Sequence, residues 1–376
     1  MYILVLNSGS SSLKFELFNR ESSLIEGLIE EIGSSRCNFQ CLGSKKKVKI
    51  KNNLMAVKFV LNFLKEQDYN KIDVVGHRVV HGGEEFDKAV MINDRVIEKI
   101  KKYSELAPLH NPANLSGILA CKKLLPRVKQ VAVFDTSFHQ TLLKEAYLYA
   151  IPLGLYKRYG IRKYGFHGIS HKYISIEVKK IFKKNLKIIS CHLGNGSSIT
   201  AIKNGKSIDT SMGFTPLQGL MMGTRSGDID PEVVAYLTHK LGVSVDKVIR
   251  ILNERSGLKG ISGESDFRLI RERIKKQDHK AELAREMYIY RIVDYIGGYN
   301  TLLNGAEVLV FTGGIGEHGS DLREMICDYL KFFGVDLDQD KNKKNEMIIS
   351  SKKSKIKVLV LKTDEELMIA RECLKI

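Results

Sequence analysis

Short runs of hydrophobic residues alternate with amphipathic stretches along this chain, a pattern that predicts a mixed α/β protein. The first run, Ile3 to Leu6, leads into the hydroxyl-rich segment Asn7 to Ser12, and a second apolar run begins at Leu13. This order predicts a strand, a tight turn and a second strand. The predicted strands lie at 2–6, 13–18, 73–76, 131–134, 187–209 (a hairpin), 307–311 and 356–361. The predicted helices lie near 55–66, 113–125, after residue 171, 230–241, 243–255, 266–303 with a break or kink at 297–298, 320–333 and from 365 onward.

The turn between the first two strands has the composition of a phosphate-binding loop. Exposed backbone N–H groups, the three consecutive hydroxyls of Ser10 to Ser12 and Lys14 converge where a buried strand ends, and such a set suits a bound polyphosphate. An ordinary glycine-serine turn would contain the same residues.

The same plan of strand, turn and strand occurs again at residues 188–202. Alignment of Gly9-Ser10-Ser11 with Gly196-Ser197-Ser198 gives an offset of 187 positions, close to half of the 376 residues. We therefore expect a duplicated fold in which two similar α/β halves present their turns to a nucleotide held between them. Chance similarity of two short turns is the alternative.

The size and composition of the chain restrict its class. A chain of 376 residues exceeds the size of one typical core, so two domains are expected, and no low-complexity linker separates them. The N-terminal apolar run is too short for a secretory signal and no stretch approaches about 20 apolar residues, so we expect a cytoplasmic protein without a membrane partner. The six cysteines are scattered, which favours reduced thiols over a zinc site.

The formal net charge of +17 admits nucleic acid, a membrane surface or an anionic substrate as a partner. Lysines are spread over surface-like segments such as 45–47 and 352–353, without a recognition helix or interleaved aromatic residues. This distribution favours a solvated surface, and we expect no nucleic-acid partner.

Two arginines have glycine neighbours that let a ligand approach the backbone closely. Arg78 lies in the segment 76–83, which contains three glycines, and Arg225 lies between Gly223 and Gly227. A guanidinium in such a loop is suited to binding an anion, with a surface salt bridge as the alternative for either residue alone.

Carboxylates at the ends of predicted strands are the next candidates. Asp135 follows one apolar run and Glu365 comes soon after another, and ligands of open α/β sheets gather at such ends. Helix capping by Asp135 or Asp364 explains the same positions. His167 precedes a glycine at a predicted helix start, whereas His171 is expected to be structural.

Two nucleotide-binding motifs are incomplete or out of context. Gly205-Lys206-Ser207 would end a Walker A loop only if position 200 were glycine, and it is Thr200. The segment Gly314 to Gly319 satisfies G-x-G-x-x-G, but it lies near the C-terminal end of the chain. An oxidoreductase would leave the two glycine-serine turns unexplained. We therefore expect nucleotide contact at this segment and no hydride chemistry.

The segments Asn7 to Lys14 and Met212 to Asp228 resemble the acetate kinase family. The resemblance covers nearly the whole chain, because further matching segments follow in the family's order. These segments are the loop around Arg78 and residues 108–114, 134–139, 164–168, 311–317 and 365–370.

The resemblance implies an α/β protein with two duplicated ribonuclease H-like domains, of the actin and sugar-kinase type, and a nucleotide cleft between them. The N-terminal domain would comprise residues 1–136, completed by the C-terminal helix 366–376, and the nucleotide-binding domain would comprise residues 137–365. A homodimer is also implied.

The activity implied by the resemblance is reversible phosphoryl transfer from ATP to acetate, giving acetyl phosphate and ADP by direct in-line transfer. The implied metal is Mg²⁺, with Mn²⁺ as a substitute. Propionate or another short-chain acid is the alternative acceptor, because one methylene changes binding by only about 1–3 kcal/mol. A non-catalytic nucleotide sensor would require loss of Arg78, Arg225, Asn7 or Glu365, and all four are present.

The family's functional residues transfer to this chain by motif. Asn7 and Glu365 would hold Mg²⁺, and the catalytic residues would be Asp135, Arg78, His167 and Arg225. Those around the acyl group would be Arg78, Val80, Leu109, Phe166 and Pro216. Those that contact the nucleotide would be Lys14, His192, Leu193, Gly194, Asn195, Gly196, Asp266, Phe267, Arg268, Gly313, Gly314, Ile315, Gly316 and Glu317.

The role of Asp135 follows from the chemistry of the acceptor. Acetate is already ionised at neutral pH, so transfer to acetate needs alignment and charge neutralisation but no general base. Our hypothesis is that Asp135 orients Arg78 or a magnesium-bound water. Two positions depart from the family: Asp364 replaces a common asparagine, and residues 35–53 are shorter and richer in lysine.

Overall fold

The structure is a computed structural model that describes residues 1–108 and 110–376, so the expected acyl residue Leu109 lies outside the described residues. In chain order the strands are β1 (Tyr2–Ser8), β2 (Leu13–Asn19), β3 (Ser22–Glu30), β4 (Asn38–Cys41), β5 (Ser44–Lys47), β6 (Val74–Val79), β7 (Val90–Met91), β8 (Lys129–Phe134), β9 (Ile188–Leu193), β10 (Ser197–Lys203), β11 (Lys206–Thr210), β12 (Val308–Thr312) and β13 (Lys357–Val360). The α-helices are α1 (Asn53–Glu66), α2 (Asp94–Lys102), α3 (Asn111–Leu124), α4 (Lys144–Tyr147), α5 (Leu153–Tyr159), α6 (Gly168–Phe182), α7 (Pro231–Leu241), α8 (Val245–Glu254), α9 (Gly257–Ser262), α10 (Phe267–Lys275), α11 (His279–Leu302), α12 (Gly313–His318), α13 (Ser320–Tyr329), α14 (Gln339–Lys343) and α15 (Glu365–Cys373). Short 3-10 helices lie at Tyr103–Glu105, Ser137–Thr141 and Lys331–Phe333.

The chain divides into two compact units. The first comprises residues 1–140, 168–173 and 364–376, and the second comprises residues 141–167 and 174–363. The start of α6 and residue Glu365 therefore belong to the first unit, whereas the sequence analysis assigned both to the second domain.

The first unit is built on a mixed sheet with the strand order β5-β4-β3-β2-β1-β6-β8-β7 in the described residues. Strand β1 is antiparallel to β2 and parallel to β6, and β6 is parallel to β8. Helices α1 and α3 pack together, and buried side chains of α1 form a core with those of β1 to β4. Helix α15 returns to β1 and β6. A Cβ at Gly76 would lie only 2.7 Å from Ile369, so the glycine permits this close approach.

The second unit repeats this plan with the strand order β11-β10-β9-β12-β13 in the part that the structure describes. Strand β9 is antiparallel to β10 and parallel to β12, and β12 is parallel to β13. The directions match those of β3-β2-β1-β6-β8, and the expected duplication of an α/β domain is confirmed. Its core packs α11 and α13 against the sheet through residues such as Ile292 and Ile326.

The predicted alignment of the two turns is wrong by two residues. Ser8 pairs with Leu13 where the first hairpin closes, and Leu193 pairs with Ser197 where the second closes. Gly9 therefore corresponds to Gly194, and Ser197 and Ser198 already lie within β10. The Gly-Ser-Ser letters therefore stand at different places in the two hairpins: inside the turn in the first, and across the end of the turn and the start of β10 in the second.

Helix α11 runs unbroken through Gly297 and Gly298, so a break there, one of the two predicted outcomes, is wrong. Backbone hydrogen bonds of a helix need no side chain, and buried residues such as Ile296 and Tyr299 hold this segment on the core. The real break falls at Gln277, whose φ of 61° ends the preceding helical segment.

Strands β3, β4 and β5 are absent from the predicted elements. They extend the first sheet outward, and all four residues of β5 are exposed. The three lysines of β5 give this strand no apolar pattern, and they suit an edge strand because charge discourages pairing with another chain. Within the described residues, no helix is long and apolar enough to cross a membrane.

Candidate active site

In the first unit, Arg78 and Asp135 are brought together by two parallel strands that end side by side. Arg78 is the second-last residue of β6, and Asp135 directly follows β8, whose last residue Phe134 pairs with Val79, so both residues lie at the same end of the sheet. The Nε and Nη2 atoms of Arg78 donate to Oδ2 of Asp135 at 3.1 and 2.7 Å, and Nη1 lies 3.3 Å from Oε2 of Glu365. Arg78 is thus paired with two carboxylates.

The electrostatics of this cluster follow from its burial. Burial raises the pKa of Asp135 to about 6, with Arg78 acting in the opposite direction. Burial also opposes the charge of Arg78, but attraction to Asp135 and Glu365 outweighs burial and raises the pKa of the guanidinium above its ordinary value. Oδ1 of Asp135 is buried and has no hydrogen-bond partner among the described residues.

Two asparagines near the start of α3 fix the loop that follows Arg78, and the sequence analysis gave them no role. Asn114 donates to the carbonyl of Ser8 at 2.7 Å and accepts from the N–H of Val80 at 3.0 Å. Asn111 accepts from the N–H of His81 and donates to its carbonyl, both at 3.0 Å. The only signal was their place in the segment 108–114. Together they tie the end of β1 to the expected acyl residue Val80.

The donors in this unit suit a hard divalent cation. Glu365 and Asn7 carry oxygen ligands, and the orphaned Oδ1 of Asp135 is a third oxygen donor, which is the ligand type that Mg²⁺ prefers. The residues present therefore fit the metal that the resemblance implies.

Lys14, which is expected at the nucleotide phosphates, is paired with a carboxylate. Its Nζ is 2.9 Å from Oε1 of Glu366, which belongs to a cluster with Glu16 and Asp364 whose carboxylate oxygens lie within 4.8 Å of one another. A phosphate group at Lys14 would have to compete with this ion pair.

In the second unit, His167 and Arg225 meet at the turn between β9 and β10. A Cβ at Gly196 would lie 3.4 Å from Cε1 and Nε2 of His167 and 3.6 Å from Nη1 of Arg225. Nδ1 of His167 is 2.9 Å from Oγ of Ser198, and its ring centroid is 4.4 Å from that of His192. The absence of a side chain at Gly196 therefore leaves space beside a histidine and an arginine.

Arg225 has different surroundings from Arg78. Its Nη1 donates to the carbonyl of Pro216 at 3.4 Å and lies 3.6 Å from the sulfur of Met222. Across the described ranges no carboxylate pairs with it. Burial lowers its pKa, but a guanidinium remains charged at neutral pH. Arg225 is therefore a partly buried cation without a carboxylate counter-ion in the described residues.

Two hydrogen bonds to Asp228 fix the loop that carries Arg225. Oδ1 of Asp228 accepts from the N–H of Gly219 at 3.0 Å, and the hydroxyl of Tyr295 on α11 donates to Oδ2 at 2.5 Å. The sequence analysis did not identify Tyr295, because nothing local to it signals a contact with residue 228.

A cavity of about 540 Å³ in the second unit contains many of the expected nucleotide residues. Its volume is in the range of small-molecule sites. The residues that line it are Gly194, Asn195, Ser265, Asp266, Phe267, Arg268, Arg271, Gly314, Ile315 and His318.

Gly313 and Glu317, which are also expected at the nucleotide, fix the backbone next to this cavity. Gly313 has a φ of 75°, and a Cβ there would lie 2.7 Å from the carbonyl oxygen of Leu193, so only glycine fits. Oε1 of Glu317 accepts from the N–H of Gly313 at 3.0 Å and from the N–H of Thr363 at 3.3 Å. Glu317 therefore joins the start of α12 to the segment that precedes Glu365.

The described residues expected around the acyl group fall in both units. Val80 belongs to the first unit, whereas Phe166 and Pro216 belong to the second. Phe166 is buried, and Pro216 is partly buried.

Comparison with known proteins gives matches over the whole chain. The model of the Acetokinase family matches residues 2–371. The chain is 50% identical to an acetate kinase of Carboxydothermus hydrogenoformans over 394 positions, which cover 100% of this chain and 99% of that one. It is 51% identical to an acetate kinase of Thermoanaerobacterium thermosaccharolyticum, with 100% and 99% of the two chains covered.

Two solved structures are similar at full length. A propionate kinase from Francisella tularensis subsp. tularensis SCHU S4 has a TM-score of 0.96 and 46% identity, covering 99% of this chain and 98% of that one. An acetate kinase from Porphyromonas gingivalis has a TM-score of 0.94 and 43% identity, with 100% and 99% covered.

Proposed function

The chain belongs to the acetokinase family, and from this premise we propose that it transfers the γ-phosphoryl group of ATP reversibly to acetate, giving acetyl phosphate and ADP. The observation that carries the proposal is the charge environment of Arg225. A partly buried cation without a carboxylate partner in the described chain, beside His167 and the turn at Gly196, is suited to an anion supplied from outside.

The chain's own residues account for the electrostatic demands of the transfer. Acetate arrives as a carboxylate, so the acceptor needs alignment rather than deprotonation. We assign the acetate carboxylate to Arg78, whose guanidinium Asp135 holds by two hydrogen bonds to one oxygen. Arg225 and His167 would stabilise the charge on the moving phosphoryl group.

Asn7 and Glu365 are our proposed residues for Mg²⁺, with the orphaned oxygen of Asp135 as a further donor. The metal, or Mn²⁺ in its place, would neutralise charge on the phosphate oxygens when bound. Asp135 thus keeps an orienting role, which the pair with Arg78 supports, and no step requires it to accept a proton.

The cavity beside α12 is our proposed site for the nucleoside of ATP. Asp266, Phe267 and Arg268 would line one side, with Gly314 and Ile315 on another. We propose that the enzyme acts in the cytoplasm, where ATP is available.

The choice between acetate and propionate is a matter of one methylene group, worth about 1–3 kcal/mol in an apolar pocket. The acetate kinases that match at 50 and 51% identity favour acetate, and the propionate kinase similar in structure is the reason to test the longer acid.

The test is Mg²⁺-dependent release of ADP from ATP with acetate, propionate and butyrate side by side, with Arg225→Ala as the blank. Preference for acetate would support the full proposal. Preference for propionate would retain the reaction and change the substrate. Absence of turnover with every acid, with ATP still bound, would support a nucleotide sensor instead.

We further propose a homodimer through an apolar face of α11. Leu283, Met287 and Tyr290 are exposed at spacings of four and three residues, so they share one side of the helix. Tyr290 also lines a groove of about 560 Å³ whose rim carries Glu286 and Arg291. Opposite charges on one face allow it to pair with the same face of a second copy.

A further inference from the structure

Arg323 on α13 is a fully buried arginine without a carboxylate partner in the described part of the chain. Its side chain is one of the largest that the core encloses completely, and burial lowers its pKa to about 10. Enclosing a cation is costly unless strong hydrogen bonds compensate for the lost water.

The guanidinium of Arg323 donates to five acceptors on α12, on α14 and just after α14. Nη1 donates to the carbonyls of Gly316 and Glu317 at 2.7 and 2.9 Å. Nε donates to Oδ1 of Asn342 at 2.9 Å, and Nη2 donates to the carbonyl of Asn342 at 2.9 Å and to Oδ1 of Asn345 at 2.6 Å. All five donors of the guanidinium are therefore used, and they join the C-terminal half of α12 to the end of α14.

Asn342 makes this connection rigid. Its Nδ2 donates to the carbonyl of Ser320 at 2.8 Å, so its own amide is fixed from a second direction.

Two of the five acceptors are backbone carbonyls of α12 itself, which comprises only six residues and has few internal hydrogen bonds to hold its position.

The other end of α12 contributes to the nucleotide cavity. Gly314 and Ile315 line that cavity, and Glu317 accepts from the N–H groups of Gly313 and Thr363. We propose that Arg323 is a positioning residue for nucleotide binding, which fixes α12 so that its N-terminal half and Glu317 keep their places. This inference rests on the proposed function, because it assumes that the cavity binds a nucleotide.

The experiment replaces Arg323 by lysine, which keeps the charge but has three donors in a different arrangement. We expect the dissociation constant for ADP, measured by titration calorimetry, and the KM for ATP to rise about tenfold. The KM for acetate should stay within about twofold, since Arg323 contacts no residue assigned to the acyl group.

The matched controls are Ile326→Val and Ile326→Ala. Ile326 is a fully buried residue on the same helix, and its shortening lowers the thermal midpoint without removing a bond to α12. The control whose midpoint is closer to that of Arg323→Lys should bind ADP like the unsubstituted chain. If that control weakens ADP binding equally, or if Arg323→Lys binds ADP normally, the inference is wrong.

Asn345→Gly keeps the test decisive if Arg323→Lys does not fold. It removes the acceptor of Nη2 at 2.6 Å and suits the φ of 52° at this position, and we expect ADP binding to weaken about threefold with an unchanged KM for acetate. Unchanged ADP binding would then overturn the inference. Failure of the unsubstituted chain to bind ADP at all would instead contradict the proposed function.

Discussion

Arg78 and Arg225 differ in the charge that surrounds them. Arg78 is paired with Asp135 and Glu365, so its position is fixed and its charge is balanced within the first unit. Arg225 has a carbonyl and a sulfur as neighbours, and in the described residues no carboxylate offsets it. A fixed, balanced guanidinium suits orientation of a carboxylate, and an unbalanced one suits stabilisation of charge that develops during the reaction.

The space at Gly196 can be filled by a single methyl group. The φ of Gly196 is not in the left-handed region, so Gly196→Ala should fold normally, but the new Cβ would lie 3.4 Å from His167 and 3.6 Å from Arg225. We expect kcat/KM for ATP to fall about tenfold to hundredfold, because the methyl group would occupy space beside His167 and Arg225 that the transferred phosphoryl group needs. Steady-state kinetics measure the effect, with Gly154→Ala, where a Cβ has no neighbour within 4 Å, as the control. Equal activity of the two variants would contradict the assigned roles.

A buried histidine makes stability depend on pH. Burial lowers the pKa of His77 to about 4 from its usual 6.5, and its ring hydrogen-bonds with Gln130 at 2.8 Å. As the pH falls below 6.5, His77 of the unfolded chain binds a proton, whereas His77 of the folded chain stays neutral until about pH 4. The free energy of unfolding should therefore decrease by roughly 1.4 kcal/mol per pH unit in this window through this residue.

Urea unfolding of the unsubstituted chain and of His77→Gln at pH 7.5, 6 and 5 isolates this contribution from other groups that titrate. The difference in stability between the two chains should change steadily in favour of the glutamine variant as the pH falls. A difference that is constant across the three pH values would show that His77 is not held neutral.

At the scale of elements, the break before α11 depends on one residue in a left-handed conformation. Gln277 has a φ of 61°, which costs a residue with a side chain about 1 kcal/mol relative to glycine. Gln277→Gly should raise the free energy of unfolding by up to about 1 kcal/mol, measured in urea. Gln277→Ala keeps the strained conformation and should give no gain, so equal effects of the two changes would contradict this explanation.

The sequence predicts a helix or strand well when the hydrophobic pattern of that segment reflects how the segment packs in the folded protein. The apolar runs at β1, β6 and β8 are central strands, and their pattern was sufficient to find them. Strands β4 and β5 are only four residues long. Phe39 and Cys41 of β4 are buried and alternate with polar residues, but this pattern is too short to mark a strand, and β5 consists of a serine and three lysines that pair with β4. The unbroken α11 shows the converse, because tertiary packing outweighs the low helix propensity of two glycines.

The same distinction applies to the candidate site. Glycines around Arg78 and Arg225 and carboxylates after strands are local signals, and the sequence contains them. The roles of Asn114, Tyr295 and Arg323 depend on partners far along the chain, such as Ser8 for Asn114. Lys14 also has a partner that its motif does not indicate, because the motif predicts a phosphate ligand and Glu366, distant in sequence, pairs with the lysine.

At the scale of the whole molecule, the proposed dimer can be tested at one exposed tyrosine. Tyr290 on α11 is 66% exposed, and Tyr236 on α7 of the same unit is 63% exposed. Tyr290→Glu should convert the dimer to a monomer in light scattering coupled to size exclusion, because it places two negative charges across an apolar contact. Tyr236→Glu should leave the mass unchanged. A dimer that persists in Tyr290→Glu, or a chain that is monomeric without substitution, would contradict the assigned face.

The most direct test of the proposed reaction observes the phosphoryl group itself. Phosphorus NMR of the chain with ATP, Mg²⁺ and acetate should show ADP and acetyl phosphate forming in equal amounts. Addition of ADP and acetyl phosphate should regenerate ATP, because the transfer is reversible. Inorganic phosphate as the only new product, or a γ-phosphate signal that is unchanged by acetate while ATP is bound, would contradict the assignment of this chain as a carboxylate kinase.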